Sequence, residues 1–431
     1  MKKVSVLIMV LTMLSVTVSA QMDNLSNISA KWVRSVARNA ALDGGGDMVA
    51  FNPAGLAMLN DGIYISLSNQ TLFRNPEHTY NLGAGAVTRT QDGIDPILPM
   101  LYGAYKFNQF AISTGVYISG GGAASDYPEG SLNTTLMGYQ MLPAFAEGGY
   151  NAFKDEFLLG SSFYITIPLN ISYALNDQLA VSVGGRYLMG RNKTEAGITF
   201  TGSPVAPDVP LTIDYRNNAS GIGGVFGIDY RPMDNLNFAI HYETKVKLEF
   251  EATDNSGSYK LEPDGTKSNR DLPANLAVGA TYGITEKLMV AADFNYYFQS
   301  ASNWDSIINP ATGTKVDAAE IAGDSYKAGV GVTYKLNDLL ELSGGVAYTD
   351  YMYDNMELYY TKLGLFEVLK YDNWSVGVGA GINLTENIQL DLGIFRNIWK
   401  DETIRSINAG GIPVDVKNSA YVLALGLDFR F

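Results

Sequence analysis

Side chains that could carry out chemistry are few in this sequence. It contains two histidines, His78 and His241, and no cysteine. Disulfides and thiolate chemistry are therefore excluded, and two distant histidines do not have the close spacing of zinc or haem ligands. No serine lies in the nucleophile-elbow pattern of a hydrolase. The residue types predict a protein that is not an enzyme and that needs neither a metal nor a cofactor.

One group of polar residues lies on a single predicted strand. His241, Glu243 and Lys245 alternate along the chain, so their side chains point to the same face of a strand. Such a cluster could contact the acidic head group of a ligand. The simpler interpretation is that these are ordinary polar residues of a lumen, because the interiors of membrane barrels are polar. His78 falls in a long polar connection, and we expect it to be exposed to solvent.

The elements that must position these residues are strands of alternating hydrophobicity. In the closing stretch Ala420–Phe431, every second residue from Tyr421 onward is apolar, and the residues between them are mostly small or polar. The same alternation runs through Phe110–Ile118, Leu288–Phe298 and Trp374–Leu384. One apolar face toward lipid and one small or polar face toward a lumen is the pattern of a transmembrane β-barrel.

The connections between strands alternate between short turns and long polar loops. The short turns lie at Asn108-Gln109, Asn176-Asp177, 231–235, Thr285-Glu286, Asn337-Asp338 and 385–387. The long loops lie near 74–98, 121–158, 201–208, 252–271, 301–322, 354–370 and 400–417. Six turns and seven loops separate fourteen strands. Short periplasmic turns and long extracellular loops are the layout of an outer-membrane barrel.

The N-terminus predicts export from the cytoplasm. Lys2 and Lys3 precede the apolar stretch 4–18, and Val18-Ser19-Ala20 has the small residues of a cleavage site. Residues 1–20 are predicted to be a signal peptide, because the apolar run is short for a membrane anchor. The net charge of −14 argues against nucleic acid, whose binding needs a basic surface. We therefore predict an all-β membrane protein, a 14-stranded antiparallel transmembrane barrel of the Gram-negative outer membrane, with a soluble β-sandwich or propeller as the alternative.

The segment 21–60, between the signal and the first strand, does not have the pattern of a strand. It contains Gly44-Gly45-Gly46, but the Gly-Lys-Ser/Thr of a phosphate loop is missing. A barrel of this size has a lumen too wide for its own side chains to fill, so this segment is predicted to plug it. Within it, Asp47 and Phe51 precede Asn52-Pro53-Ala54-Gly55-Leu56-Ala57.

This motif resembles the hatch of the FadL/TodX/OmpP1 family of outer-membrane transporters for hydrophobic compounds. Leu272-Pro273-Ala274-Asn275 and the strand from Asp293 to Tyr297 are a second matching stretch. Signal, hatch, fourteen strands and terminal phenylalanine all match, so the resemblance covers essentially the whole chain. It implies that the hatch, residues 21–60, closes a barrel formed by residues 61–431. The implied hatch or gate residues are Asp47, Phe51, Asn52, Pro53, Ala54 and Gly55.

The resemblance also implies a route for the ligand. A long-chain fatty acid or a similar apolar compound would be captured by the extracellular loops and pass to a pocket in the lumen. It would leave when the hatch moves, through a lateral gap at a kink in strand three. Glycine in a strand marks bulges and bends. The candidates for the kink are Gly115, Gly120, Gly121 and Gly122.

The loops and the C-terminus leave alternatives open. Leu132 to Phe157 has a helical, apolar pattern and either folds over the barrel mouth or packs on itself above it. The loops could also make the protein a surface receptor or adhesin, and a general porin is a further alternative. Phe431 resembles the signal that the barrel-assembly machinery recognises, or is an interfacial anchor. We expect a monomer surrounded by outer-membrane lipid and lipopolysaccharide, with a hydrophobic small molecule as its ligand.

Overall fold

The structure is a computed structural model that describes residues 24–253, 255–310, 312–362 and 366–431. The signal peptide predicted for residues 1–20 lies outside the described residues. Fourteen strands form one antiparallel barrel. They are β1 (Gly62–Arg74), β2 (Ile94–Phe107), β3 (Phe110–Tyr127), β4 (Ala152–Asn176), β5 (Leu179–Thr201), β6 (Val209–Met233), β7 (Leu236–Glu243), β8 (Ala274–Gly283), β9 (Leu288–Phe298), β10 (Ser325–Lys335), β11 (Leu340–Tyr351), β12 (Asn373–Thr385), β13 (Ile388–Trp399) and β14 (Ser419–Arg430).

Each strand pairs with its neighbours in the chain, and β14 pairs with β1 to close the ring. The register of this closing pair runs from Tyr64 opposite Arg430 to Arg74 opposite Ala420. Short turns connect the strands at one end of the barrel and long loops connect them at the other. The predicted number of strands and the predicted alternation of turns and loops are therefore confirmed.

The side chains of β14 divide between the two faces as the alternation predicts. Tyr421, Leu423 and Leu425 are 41%, 45% and 51% exposed on the outer wall, whereas Val422 and Ala424 are buried toward the lumen. No helix of the described residues is long and apolar enough to cross a bilayer. The exposed apolar faces of the strands together form the surface that contacts lipid.

Residues 24–60 fill the lumen and are called the hatch below. They contain two short helices, α1 (Ala30–Ser35) and α2 (Met48–Phe51), and the 3-10 helix Pro53–Met58. Ser29 caps α1, because its hydroxyl accepts a hydrogen bond from the backbone N–H of Trp32 at 3.1 Å. Apolar hatch residues pack with inward-facing residues of the wall in one buried cluster. The N-terminal segment thus plugs the barrel as predicted.

The long loops fold into an ordered cap over the barrel. A four-stranded sheet contains Glu402–Ser406, Ile412–Lys417, Glu77–Asn81 and Ala86–Thr90, in that order. A separate hairpin pairs Ser306–Ile308 with Lys315–Asp317, and the strands Glu249–Ala252 and Lys267–Asn269 extend the barrel sheet beside β6. The cap also contains α3 (Leu132–Phe145), α4 (Ala318–Ala322), α5 (Met356–Lys362) and the 3-10 turns Ala146–Gly148, Gln299–Ala301 and Ile407–Ala409.

The cap has a hydrophobic core of its own. Leu132 and Met137 of α3 are buried in it beside aromatic side chains such as Tyr359. The predicted helical segment therefore packs on the cap itself.

His78 also lies in this core, and the expectation that it is exposed to solvent was wrong. The strand Glu77–Asn81 turns this side chain inward, and its Nε2 accepts a hydrogen bond from the N–H of Leu132 at 3.0 Å. Burial, with a smaller effect of Arg89, lowers the pKa of His78 to about 3, so the ring is neutral. The first extracellular loop is thus an ordered part of the cap core.

Candidate functional site

Asp47 is the centre of the hatch's polar network. The guanidinium of Arg38 donates to both carboxylate oxygens of Asp47, at 2.9 Å and 2.8 Å. The hydroxyl of Ser29, the cap of α1, donates to the same carboxylate at 2.8 Å. The backbone N–H of Asp47 donates to the hydroxyl of Ser66 on β1 at 3.1 Å. Asp47 therefore joins the start of α1 and Arg38 through its carboxylate, and the barrel wall through its backbone N–H.

Cations of α1 pair with carboxylates of the wall. The amine of Lys31 lies 3.4 Å from the carboxylate of Asp428 on β14. The guanidinium of Arg34 lies 2.5 Å from Glu341 on β11 and 3.1 Å from Asp391 on β13. Burial lowers the pKa of Arg34, but Asp391 and Glu341 raise it above its ordinary value, so the side chain stays charged. Sequence reasoning missed these pairs, because their members are far apart in the chain.

A fourth wall carboxylate holds the chain just after α1. The backbone N–H groups of Arg38 and Asn39 both donate to Asp293 on β9, from Asn39 at 3.0 Å. The helix ends at Val36, which has a left-handed backbone with φ of 54°. This reversal directs two consecutive N–H groups toward Asp293. The strand that matched the family pattern in the sequence therefore contributes one of the contacts that fix the hatch.

The second half of the hatch docks on the opposite wall through the Asn-Pro motif. The amide nitrogen of Asn52 donates to the carbonyl of Ile228 on β6 at 3.0 Å. The amide oxygen of Asn52 accepts from the N–H of Ala54 at 3.3 Å and caps the 3-10 helix. The carbonyl of Pro53 accepts from the hydroxyl of Ser172 on β4 at 2.7 Å. The motif thus caps a helix and binds two wall strands at once.

The remaining motif residues are buried against the wall. Phe51 is buried in the apolar cluster of the hatch, and Ala54 is fully buried. Gly55 faces Asp229 of β6, and a Cβ there would lie 3.1 Å from a carboxylate oxygen and overlap the end of Met48. The absence of a side chain at Gly55 therefore permits the close approach of hatch and wall.

A cavity of about 160 Å³ lies between the hatch and the cap. Hatch residues 24–27 form its floor, and cap residues 367–370 form part of its roof. Its lining includes the apolar side chains of Leu72, Leu98, Phe395 and Val422. Its charged lining residues are Arg74, Lys327, Lys370 and Glu367.

Lys327 brings its side-chain amine to this cavity. Its amine lies 4.5 Å from the ring centroid of Trp32 in α1 and 5.8 Å from that of Phe395. It forms no ion pair with any residue that the structure describes, so its contacts with the hatch are cation–π contacts. An apolar chamber that contains an amine without an acidic partner among the described residues is suited to an apolar compound with an acidic end.

Glu367 lies in the cap wall of the same cavity. Both of its carboxylate oxygens accept from the side-chain amide of Asn133, each at 3.0 Å. Burial raises the pKa of Glu367 from an ordinary value of 4.5 to about 7, although these hydrogen bonds oppose the shift. The charge of the cavity therefore depends on pH near neutrality.

Strand β3 is interrupted beside the cavity. Gly120 pairs with Tyr164 of β4 and Ala123 pairs with Ser162, so Gly121 and Gly122 stand opposite a single residue. Gly121 has φ of +103°, and a Cβ there would overlap the carbonyl of Ser162. This is a β-bulge that requires glycine.

A gap opens between β2 and β3 below this bulge. The two strands pair from Phe107 opposite Phe110 up to Leu101 opposite Val116, and their described residues form no pairs above that point. Gly115 lies within the paired part, so it is not at the interruption. Of the four glycines predicted to form the kink, the structure places Gly120, Gly121 and Gly122 at the bulge.

The start of the hatch occupies the inner side of the bulge. Asn24 forms an antiparallel bridge with Gly120, and the N–H of Leu25 donates to the carbonyl of Ser119 at 2.8 Å. Both hatch residues also line the cavity. The bulge residues Gly120 and Gly121 line the cavity as well, so the cavity, the start of the hatch and the bulge adjoin one another.

Comparison with known proteins identifies the family. The model of the family described as "Outer membrane protein transport protein (OMPP1/FadL/TodX)" matches residues 10–431. The chain belongs to this family. No significant match is found among curated protein sequences.

Solved structures have the same fold at low sequence identity. A Pseudomonas aeruginosa FadL homologue is 14% identical, with a TM-score of 0.68 and coverage of 95% of this chain and 100% of its own. The Pseudomonas putida toluene transporter TodX is 16% identical, with a TM-score of 0.67 and coverage of 96% and 100%. The Ralstonia pickettii toluene transporter TbuX is 15% identical, with a TM-score of 0.59 and coverage of 95% and 99%. The protein is thus a transport protein of the Gram-negative outer membrane, and not an enzyme.

The polar cluster predicted on β7 is divided in this transporter. His241 and Glu243 are buried on the lumen side, where Glu243 pairs with Arg186 of β5 at 2.6 Å. Lys245 lies beyond the end of β7, and its amine lies 3.3 Å from the carboxylate of Asp271. The alternation of the strand does not continue to Lys245, because β7 ends at Glu243. Arg186 was not found from the sequence, because its only signal is one inward position on a long strand.

Phe431 ends the transporter at the rim opposite the cap. Its backbone pairs with Ile63 of β1, with N–H to carbonyl distances of 2.7 Å and 2.9 Å. Its ring is 67% exposed and stacks beside Phe429 at 6.2 Å. Recognition of this residue by the assembly machinery remains a prediction.

Proposed function

We propose that this transporter carries long-chain fatty acids or similar apolar compounds into the outer membrane, and that the hatch gates their passage. The cavity beside Lys327 is the observation that carries this proposal. Similar solved proteins support an apolar class of substrate, because they are described as toluene transporters and as a monoaromatic hydrocarbon channel. An apolar solute gains roughly 25 cal/mol for each Å² of apolar surface that leaves water for such a cavity.

Lys327 favours substrates with an acidic end. A carboxylate in the cavity would pair with its amine, which among the described residues contacts aromatic rings of the hatch and wall. This pairing would draw the amine away from Trp32 and weaken one contact that holds α1 in place. Substrate binding and release of the hatch are linked in this way.

The bulge of β3 favours lateral release. Hatch residues Asn24 and Leu25 pair with β3 at the bulge, which borders the cavity, so their displacement would free the inner side of the wall next to the gap between β2 and β3. A compound that follows this route enters the membrane without crossing the periplasmic half of the hatch. A general porin function is disfavoured, because the hatch fills the lumen through which polar solutes would diffuse.

The substrate class is tested by replacing the cavity cation. Lys327→Met keeps the aliphatic stem and removes the charge. We expect binding of a long-chain fatty acid, measured by calorimetry in detergent, to weaken about tenfold, the effect of one charge-assisted hydrogen bond. Binding of toluene, which has no charge, should not change. Lys335→Met, at the far end of the same strand, is the matched control. Equal losses for both ligands would contradict recognition of an acidic end.

Gating by the hatch is tested with a reversible crosslink. A Cβ at Gly393 of β13 would lie 3.3 Å from the Cβ of Val33 in α1, close to the usual separation in a disulfide. The chain has no other cysteine, so Val33→Cys with Gly393→Cys forms a unique pair. We expect oxidation to stop uptake of a fluorescent fatty acid into proteoliposomes and reduction to restore it. Each single variant is the control, and uptake by the oxidised pair at the rate of the controls would refute gating.

A further inference from the structure

An apolar groove of about 530 Å³ lies on the outer wall where β2 and β3 separate. Leu67, Leu101 and Val116 form its rim with outward-facing side chains. Met100 and Tyr117 line it as well, although both are only 3% exposed and belong to the buried cluster that contacts the hatch. The groove therefore extends from the lipid-facing surface through the wall to side chains that face the lumen.

Tyr117 also borders a small cavity on the inner side of the wall. This cavity, of about 40 Å³, is lined by hatch residues 24–26 and Ile28 and by Arg186 and His241. Among the described residues, Tyr117 alone lines both this inner cavity and the outer groove. The ring of Tyr117 is thus the partition between the two spaces.

Tyr102 connects this partition to the hatch. Its ring packs on that of Tyr117, with centroids 5.5 Å apart, and its hydroxyl donates to the backbone carbonyl of Ile28 at 2.5 Å. Tyr102 is fully buried. Gly115, opposite Tyr102 on β3, leaves room for this ring, because a Cβ there would lie 2.9 Å from its Cδ1. A continuous contact therefore runs from Ile28 through Tyr102 to Tyr117.

We propose that Tyr117 closes the lateral gap and that Tyr102 holds it closed while the hatch is docked. Displacement of Ile28 would leave the buried hydroxyl of Tyr102 without its acceptor, which is unfavourable. The Tyr102 ring then reorients, the support of Tyr117 is lost, and the inner cavity joins the groove. The use of this opening by a substrate rests on the function proposed above, but the coupling between hatch and wall does not.

The proposal is tested with a single cysteine in the otherwise cysteine-free chain. Ser119→Cys is the reporter, because Ser119 lines the inner cavity behind Tyr117 and not the groove, and Leu67→Cys on the groove rim is the control. The protein in lipid vesicles is treated with a lipid-soluble maleimide, and the labelling rates are compared. With Tyr117→Ala, we expect the Ser119→Cys reporter to label at the rate of the rim control. With Tyr102→Phe, which keeps the ring, we expect labelling about fivefold faster than with Tyr102 intact, the effect of one hydrogen bond.

Slow labelling of the reporter in both variants, with the rim control unchanged, would overturn the proposal. Tyr102→Phe keeps the packing of the wall, so it remains informative if Tyr117→Ala does not fold. The labelling requires no transported ligand. Absence of fatty-acid uptake by the unmodified protein would therefore contradict the proposed function. Unchanged labelling would contradict only the proposed coupling of hatch and wall through Tyr102 and Tyr117.

Discussion

At the residue scale, the hatch is held by charges that are buried on both sides of its boundary with the wall. Asp47 satisfies the guanidinium of Arg38, and Arg34 reaches Glu341 and Asp391 on the wall. Removing one member of such a pair leaves an uncompensated buried charge, which is more costly than the loss of the pair itself. The network therefore favours one docked position of the hatch and penalises partial displacement.

Asp47→Asn tests this network with nearly constant volume. We expect the docked hatch to lose about 3 kcal/mol, because Arg38 loses a bidentate ionic partner inside the lumen. Thermal unfolding of the purified barrel and single-channel recordings in planar bilayers measure the effect as a lower midpoint and more frequent opening. Asp338→Asn, in an exposed turn, is the control. Equal behaviour of the two variants would show that Asp47 does not fix the hatch.

The stability of the cap depends on pH through Glu367, and the raised pKa of this residue sets the sign of the dependence. The folded value of about 7 lies above the ordinary 4.5, so the folded state retains the proton longer than the unfolded state. The stability that this group contributes is fully present below pH 4.5 and is lost as the pH rises through 7. We expect the difference in melting temperature between the wild type and Glu367→Gln to change across this window. A constant difference from pH 4.5 to 8 would be inconsistent with the buried acid.

At the scale of elements, those with a local sequence pattern were predictable, and those that depend on tertiary contacts were not. The barrel strands were predictable because each alternates over many residues, and the Asn52-Pro53 turn has a local signal of its own. The helices α1 and α2 span only 6 and 4 residues and are surrounded by wall on several sides, so no amphipathic period marks them. The glycines of β3 gave an ambiguous signal: the bulge contains Gly120–Gly122, whereas Gly115 makes room for an aromatic ring.

The Asn52-Pro53 element can be tested by replacing both residues with alanine. The variant loses the bond to the Ile228 carbonyl and the cap of the 3-10 helix, together worth about 2 kcal/mol. We expect the second half of the hatch to loosen and the conductance in planar bilayers to rise. Asn60→Ala, at the exposed end of the hatch, is the matched control. Unchanged conductance in the double variant would count against this segment as a gate element.

At the scale of the whole molecule, the sequence determines the barrel by local rules, and the site is formed by contacts between distant segments. The strand count follows from alternation and turn spacing, each visible within a short window. The approach of Lys327 to Trp32, and of Arg186 to Glu243, depends on how fourteen strands close around the hatch. No motif marks these pairs. Sequence reasoning therefore identified the hatch but not the residues that line its cavity.

The charges of hatch and wall predict what an empty barrel would do. Asp229 of the wall lies beside Asn52, and four more wall acids contact the hatch around α1, namely Asp293, Glu341, Asp391 and Asp428. Deletion of residues 21–60 removes their partners Lys31, Arg34 and Arg38, so the lumen becomes open and negative.

We therefore expect the barrel without its hatch to form a steady channel that prefers potassium over chloride. The reversal potential in planar bilayers under a gradient of KCl measures this preference, and the full-length protein, which should conduct little, is the control. Replacing Asp391 and Asp428 with asparagine in the deleted barrel should reduce the selectivity without closing the channel, because the two carboxylates provide charge and no longer hold a plug. An open channel that prefers chloride would contradict this assignment of the wall acids as the counter-charges of the hatch.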